Sequence, residues 1–155
     1  MNYSDILRRL RFSLQLNDAT VDEIFALSGH PLSRERIEKM FAKEDAPGYC
    51  ECNLEEMNDF LKGFIIKRRG KRDGDEPAQS ASKVLHNNDV LKALRVALAL
   101  KDTDIIEIMA NSKITVTKSE IAALFRAPGH SNYKACGDQF LRNFIQGLNY
   151  KHRQI

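Results

Sequence analysis

The 155-residue chain has no tryptophan, only three cysteines and only four prolines. Three cysteines cannot form a disulfide framework, so a hydrophobic core must hold the fold and the thiols are expected reduced, as in a cytoplasm. No apolar run approaches the roughly 20 residues of a membrane helix, so no membrane partner is expected. The N-terminus lacks the apolar stretch of a secretory signal. The four histidines, at 30, 86, 130 and 152, show no His-x-x-x-His or His-Glu-x-x-His spacing. Cys50-Glu-Cys52 with a distant Cys136 does not match zinc-ligand spacing. No Gly-rich phosphate loop or nucleophile–base pair is visible. Neither a metal nor a cofactor is expected, and no reaction is fixed. The content that remains, 43% hydrophobic and 29% charged with a net charge of +3, suits a globular chain.

Displaced by 84 residues, the chain matches itself without a gap. Asp5-Ile-Leu-Arg-Arg-Leu-Arg11 falls on Asp89-Val-Leu-Lys-Ala-Leu-Arg95, and Phe60 and Gly63 fall on Phe144 and Gly147. Positions 3–69 and 87–153 share 19 identities, against about four by chance, which marks two tandem copies. Repeat one is read as 1–70 and repeat two as 86–155. Between them, 71–85 is polar, small and without apolar period, the composition of a flexible linker. A unit of about 70 residues is marginal alone, so the copies are expected to pack together.

Each copy reads as four helices. The first spans 4–17, with Ile6, Leu7, Leu10 and Leu14 on one face. The second starts at a capping box, Thr20-Val-Asp-Glu23. The third starts near Ser33, or at Thr117-Lys-Ser-Glu120 in copy two. The fourth starts at Asn53 or Gly137. Ile114-Thr-Val-Thr117 resembles a strand but aligns with His30-Pro-Leu-Ser33, and proline argues against a shared strand. All four prolines fall between expected helices. The fold class is all-α: two tandem homologous four-helix repeats packed together.

Repetition separates fold from function. Cys52 and Cys136 recur before helix four and are read as buried packing residues. Gly63 and Gly147 stand inside helix four, where glycine costs about 1 kcal/mol relative to alanine, so a close helix crossing is expected. Arg11 and Arg95 recur with Asp18/Asp102 and Glu23/Glu107. A structural ion pair is the first reading and an anion site the second. A helix-turn-helix over Glu23–Ile37 has the wrong spacing between its small residue, glycine and apolar anchor.

Two segments carry the candidate binding residues. The basic run Lys67, Arg68, Arg69, Lys71 and Arg72, with Tyr150-Lys-His-Arg153 as its counterpart, suits the negative end of a helix dipole, but it exceeds what that role requires and could hold phosphate. The loop Arg126–Asp138 gathers Arg126, His130 and Asn132 before a helix N-terminus, where copy one has Ala42, Ala46 and Gly48. Folding therefore does not demand them. Charge is also uneven. Residues 1–70 hold 11 basic and 12 acidic side chains, and residues 86–155 hold 10 and 6.

The stretches Phe64-Ile-Ile-Lys-Arg-Arg-Gly-Lys71, Asn87-Asn-Asp-Val-Leu-Lys-Ala-Leu-Arg95, Ala127-Pro-Gly-His-Ser-Asn-Tyr133 and Cys136-Gly-Asp-Gln-Phe-Leu-Arg142 resemble the YehS-like family of bacterial proteins, which carry a duplicated domain of unknown function. The resemblance covers Asp5–Arg69 and Asn87–Arg153. Arg69 departs from it as an extra cation. It implies a small bacterial cytoplasmic protein and brings no catalytic residue to carry over.

The reading favoured is a non-enzymatic binding or regulatory module with a protein partner. The alternative is nucleic-acid binding through 67–72 and repeat two, and an enzyme ranks third. The oligomeric state is not readable from the sequence.

Overall fold

Asn2 begins the first helix. Its side chain accepts the Asp5 backbone N–H at 2.9 Å, and the Asp5 carboxylate accepts the Asn2 N–H at 3.3 Å. From this cap runs α1 (Tyr3–Leu14). It is followed by α2 (Asp18–Leu27), α3 (Arg34–Phe41), α4 (Leu54–Arg69), α5 (Asn87–Ala97), α6 (Asp102–Asn111), α7 (Lys118–Leu124) and α8 (Asp138–Gly147). The computed structural model describes residues 1–72 and 84–148. Among these residues there is no strand; residues 114–116 run irregularly into the Thr117 cap of α7. Most of the 71–85 segment, Pro77 included, and the basic stretch 150–153 lie outside the described residues.

The two halves are built alike. The helices of repeat two start 84 residues after those of repeat one, at 3 and 87, 18 and 102, 34 and 118, 54 and 138. The expected caps hold at Ser33, Asn53, Thr117 and Gly137. Two expectations need correction. The first helix ends at Leu14 rather than 17, because Gln15 takes a left-handed φ of 52°, as does Ala99 at the equivalent place. The N–H groups of Leu16 and Leu100 then close the turn onto Arg11 and Arg95 carbonyls at 3.0 Å. The second helix starts earlier than Thr20, because the Asn17 side chain accepts the Thr20 N–H at 2.8 Å and so caps three residues upstream. Asparagine is the stronger cap of the two.

Within each repeat the fourth helix packs on the second, α4 on α2 and α8 on α6. Between repeats the contacts are reciprocal: α1 packs on α8, and α5 packs on α4. The first helix of each copy thus lies against the last helix of the other, as an approximate two-fold axis requires. Burial follows the same plan. Leu7, Leu10, Leu14, Phe25, Phe60 and Phe64 join Leu91, Leu94, Ile105, Leu141 and Phe144 in one continuous core.

The repeated polar and small residues serve this framework. Gly63 lies against the Ile24 carbonyl and Gly147 against that of Ile108, so each glycine sits at a helix crossing. Arg11 pairs with Asp18 and lies over the Phe41 ring at 5.5 Å; Arg95 pairs with Asp102 at 2.9 Å and lies over Phe125 at 4.5 Å. These arginines form structural ion pairs, the first of the two readings.

Cys52 is 2% exposed and Cys136 6%, while Cys50 is exposed. Burial pushes the Cys52 thiol up to about 12 and the Cys136 thiol up to about 11. A thiol reagent at mildly alkaline pH should therefore label Cys50 quickly and reach Cys52 and Cys136 only after denaturation. Mass spectrometry of the labelled native protein checks this, and fast labelling of all three would place the two repeated cysteines outside the core.

Candidate functional site

If repetition marks the framework, departures from it mark where the copies do different work. One such departure lies where the first helix of each copy faces the loop between its third and fourth helices. The two loops share a pattern of backbone hydrogen bonds, although Gly48 takes a left-handed φ of 84° and its counterpart Asn132 does not. The Ala46 and Tyr49 N–H groups donate to Lys43 and Ala46 carbonyls, as those of His130 and Tyr133 donate to Ala127 and His130. Cys50 N–H reaches Lys39 O at 3.2 Å, as Lys134 N–H reaches Ala123 O at 3.0 Å. Below each loop, a side chain from the first helix accepts the N–H of the buried cysteine at 2.8 Å, Ser4 for Cys52 and Asn88 for Cys136. Asn88 also donates to the Leu124 and Lys134 carbonyls at 2.9 and 3.0 Å.

Above this shared floor the side chains diverge. In repeat one, Asn2 Nδ2 donates to Glu44 Oε1 at 3.1 Å and to the Tyr49 hydroxyl at 3.2 Å. Arg8 donates to the Ala42 carbonyl at 2.7 Å and pairs with Asp5. Helix and loop are thereby bridged. Arg36 adds a second brace. Its guanidinium takes Glu56 in a two-pronged pair at 2.6 and 2.7 Å and donates to the Cys50 and Glu51 carbonyls at 3.1 and 2.9 Å.

In repeat two the equivalents are His86 for Asn2, Pro128 for Glu44, Lys92 for Arg8, and Glu120 with Phe140 for Arg36 with Glu56. The proline ring carries no hydrogen-bonding group to bridge with, and Lys92 forms no hydrogen bond or ion pair with the described residues. Glu120 instead accepts from Thr117 in the cap of α7. A groove of about 1000 Å³ is left open between the start of α5, the end of α7 and the 126–135 loop. Leu124, Phe125 and Pro128 are among its apolar lining, and Lys92, Arg126 and His86 line it too. Two further clefts among the described residues hold about 370 Å³ each.

Of the loop residues singled out from the sequence, Arg126 lines this groove, and His130 and Asn132 adjoin it without entering the lining. The Asn132 backbone N–H donates to His130 Nδ1 at 3.0 Å. His130 Nε2 lies 3.3 Å from Arg126 Nη1. A neutral imidazole has one acceptor nitrogen. The shorter, backbone-fixed contact assigns it to Nδ1, so the Nε2 proton faces the guanidinium donor to donor. The geometry can receive an acceptor between them. All three residues are exposed.

The basic run is placed elsewhere, at the end of α4, and part of it is engaged within the protein. Lys67 pairs with Glu23 on α2. Arg69 donates to the Gly70 carbonyl at 2.8 Å. Burial pushes the Arg68 guanidinium below its ordinary value. Lys71 and Arg72 are exposed. Lys67, Arg68, Arg69, Lys71 and Arg72 are absent from the lining of the repeat-two groove. Sequence reasoning missed Lys92, His86 and the groove itself. The readable signal was the unlike pairing of Glu44 with Pro128 within a shared pattern of backbone hydrogen bonds. Among the described residues no group of three His, Cys, Asp or Glu side chains could hold a metal ion, and no helix is long and apolar enough to cross a membrane.

A family model described as "Protein of unknown function (DUF1456)" matches the chain twice, over residues 4–70 and 87–154. The chain is also similar to the uncharacterized protein YehS of Escherichia coli (strain K12), with 41% identity over 145 residues, covering 94% of this chain and 92% of the relative. No solved structure matches. With both matches falling on the two four-helix copies, the chain belongs to the DUF1456 family of unknown function and carries its domain twice in tandem.

Proposed function

We propose that the protein is a non-enzymatic binding or regulatory module that engages a partner through the open groove of its second repeat. One observation carries the reading: the equivalent place is bridged by Asn2, Glu44, Arg8 and Asp5 in repeat one, whereas repeat two has an open groove lined by cations and apolar residues. Binding sites are commonly concave, mostly apolar and fitted with a few convergent polar groups. A site that acts by binding needs no nucleophile or metal. Three free thiols fit the reducing, cytoplasmic setting expected from the sequence. Nucleic-acid binding through residues 67–72 is the weaker reading, since Lys67 and Arg69 already answer groups of the protein itself.

The test returns the loop to its repeat-one residues, Arg126→Ala, His130→Ala and Asn132→Gly together. These side chains are exposed, so stability should change by no more than about 0.5–1 kcal/mol. Affinity capture from a lysate of the source organism, with retained material divided into protein and nucleic acid, should lose its protein fraction in the triple variant. A variant that unfolds would make these residues loop braces, and one that folds and keeps every partner would place function elsewhere.

A further inference from the structure

The chemistry along the groove is specific enough to name its occupant. Arg126 lines the groove, and its Nη1 lies 3.3 Å from the N–H nitrogen, Nε2, of the adjoining His130, with no acceptor between them. Two donors so placed match the oxygens of a carboxylate. Lys92 adds a second cation along the groove, where Arg8 of repeat one is neutralised by Asp5. Asp89, the one carboxylate in the lining, accepts the His86 N–H at 2.8 Å and so belongs partly to the cap of α5. The same lining holds the apolar Val84, Leu124, Phe125 and Pro128.

A lining that combines cations with apolar residues complements a segment that carries both acidic and apolar side chains. It suits a nucleic acid less well. Base stacking needs free aromatic faces, and of the two aromatic residues in the lining, Phe125 and Tyr133, the Phe125 ring is already faced by the Arg95 guanidinium at 4.5 Å. We infer that the second-repeat groove docks an acidic–apolar peptide segment of a partner protein, with one carboxylate held between Arg126 and His130 and a second on Lys92. The inference rests on the binding role proposed for that groove.

The experiment follows the anisotropy of a fluorescent capped octapeptide, alternating glutamate with leucine and phenylalanine, on the full chain. Its comparators are the same peptide with glutamine for glutamate and a short single-stranded RNA. The acidic peptide should bind, and more weakly as salt rises. The glutamine peptide should bind about tenfold more weakly, the scale of losing charge-assisted hydrogen bonds. Lys92→Ala with Arg126→Ala should cost the acidic peptide a similar factor. A second variant, His86→Asn with Pro128→Glu, rebuilds the bridge of repeat one and should weaken binding by obstruction while leaving the rim cations in place. Equal binding of the two peptides by the parent protein overturns the inference without recourse to any variant. So does unchanged affinity in both folded variants, and so does binding of the RNA in place of the peptide. If the triple loop variant loses its captured partner yet no acidic peptide binds, the groove keeps its role and the acidic occupant falls. If that variant keeps its partner, the groove reading falls too.

Discussion

Gly63→Ala and Gly147→Ala are each expected to destabilise the protein by about 3 kcal/mol, the upper end of the usual overpacking range. Both glycines have ordinary helical φ, so alanine meets no backbone strain and would on propensity alone gain about 1 kcal/mol. The contact decides the sign. A Cβ on Gly63 would overlap the Ile24 carbonyl oxygen and lie 2.7 Å from its carbon; on Gly147 it would overlap the Ile108 oxygen and lie 2.9 Å from its carbon. Those atoms are backbone in the middle of α2 and α6, and neither can swing aside as a side chain would. The helices must separate, and the packing around Phe25, Phe60 and Phe144 loosens with them. At roughly 2–4 °C per kcal/mol for a chain of this size, each melting temperature should fall by about 6–12 °C. Gly129→Ala is the control, since nothing lies within 4 Å of its Cβ position and its φ is not left-handed. It should melt within a degree or two of the parent, as surface changes usually do. Melting of the Gly63 and Gly147 variants at or above the parent would remove the glycine crossings from the account of this fold.

Those glycines were legible because they occur twice. Two independent copies of one fold keep what the fold needs, so Gly63/Gly147, Cys52/Cys136 and Arg11–Asp18/Arg95–Asp102 could be read as framework before any geometry was known. Helix starts were legible for a different reason: Ser33, Asn53 and Thr117 are local signals, acting within one turn. The start of α2 shows the limit of such signals. Two plausible caps, Asn17 and Thr20, lie in one turn, and the choice depends on where α1 stops, which a left-handed Gln15 settles.

The groove was not legible, because it depends on which residues face each other across 40 positions of chain. The loop was marked by its unlike charges, but nothing local shows that Glu44 meets Asn2 or that Pro128 offers His86 no carboxylate in the same place. Repetition also hides what occurs once. Arg36 and Glu56 form the two-pronged pair of repeat one, and their counterparts, Glu120 and Phe140, share nothing with them. Asn53 was legible as a helix start, but the part Glu56 plays in that cap and in the pair with Arg36 was not. The exchange of first helices between the repeats is likewise a long-range property, and composition indicated only that the copies must bury surface against each other.

Glu56→Gln is expected to cost about 2–4 kcal/mol at neutral pH, and the loss should shrink as the pH falls. Glu56 is 8% exposed, and its removal as a charge leaves Arg36 beside the Cys50 and Glu51 carbonyls without a counter-ion. Breaking a buried pair from one side costs roughly 3–5 kcal/mol, discounted here because Arg36 keeps some contact with water. Burial works to raise the Glu56 carboxyl, but the Arg36 hydrogen bonds, the Asn53 N–H at 3.0 Å and the guanidinium charge outweigh it and hold the group below its ordinary value. A depressed folded value means that the unfolded chain binds the proton more readily. The stabilisation is therefore complete above the unfolded carboxyl range, near about 4.3, and declines as the pH falls through the lower folded value. Urea unfolding of parent and Glu56→Gln from neutral to acid pH isolates this group, since the other carboxylates are common to both proteins. The gap between them should be widest above about pH 5 and should narrow as the pH falls below the ordinary carboxyl range. A gap that stays constant over that range would show that Glu56 acts by shape and hydrogen bonding alone, not as the charged half of the brace that pins the loop of repeat one.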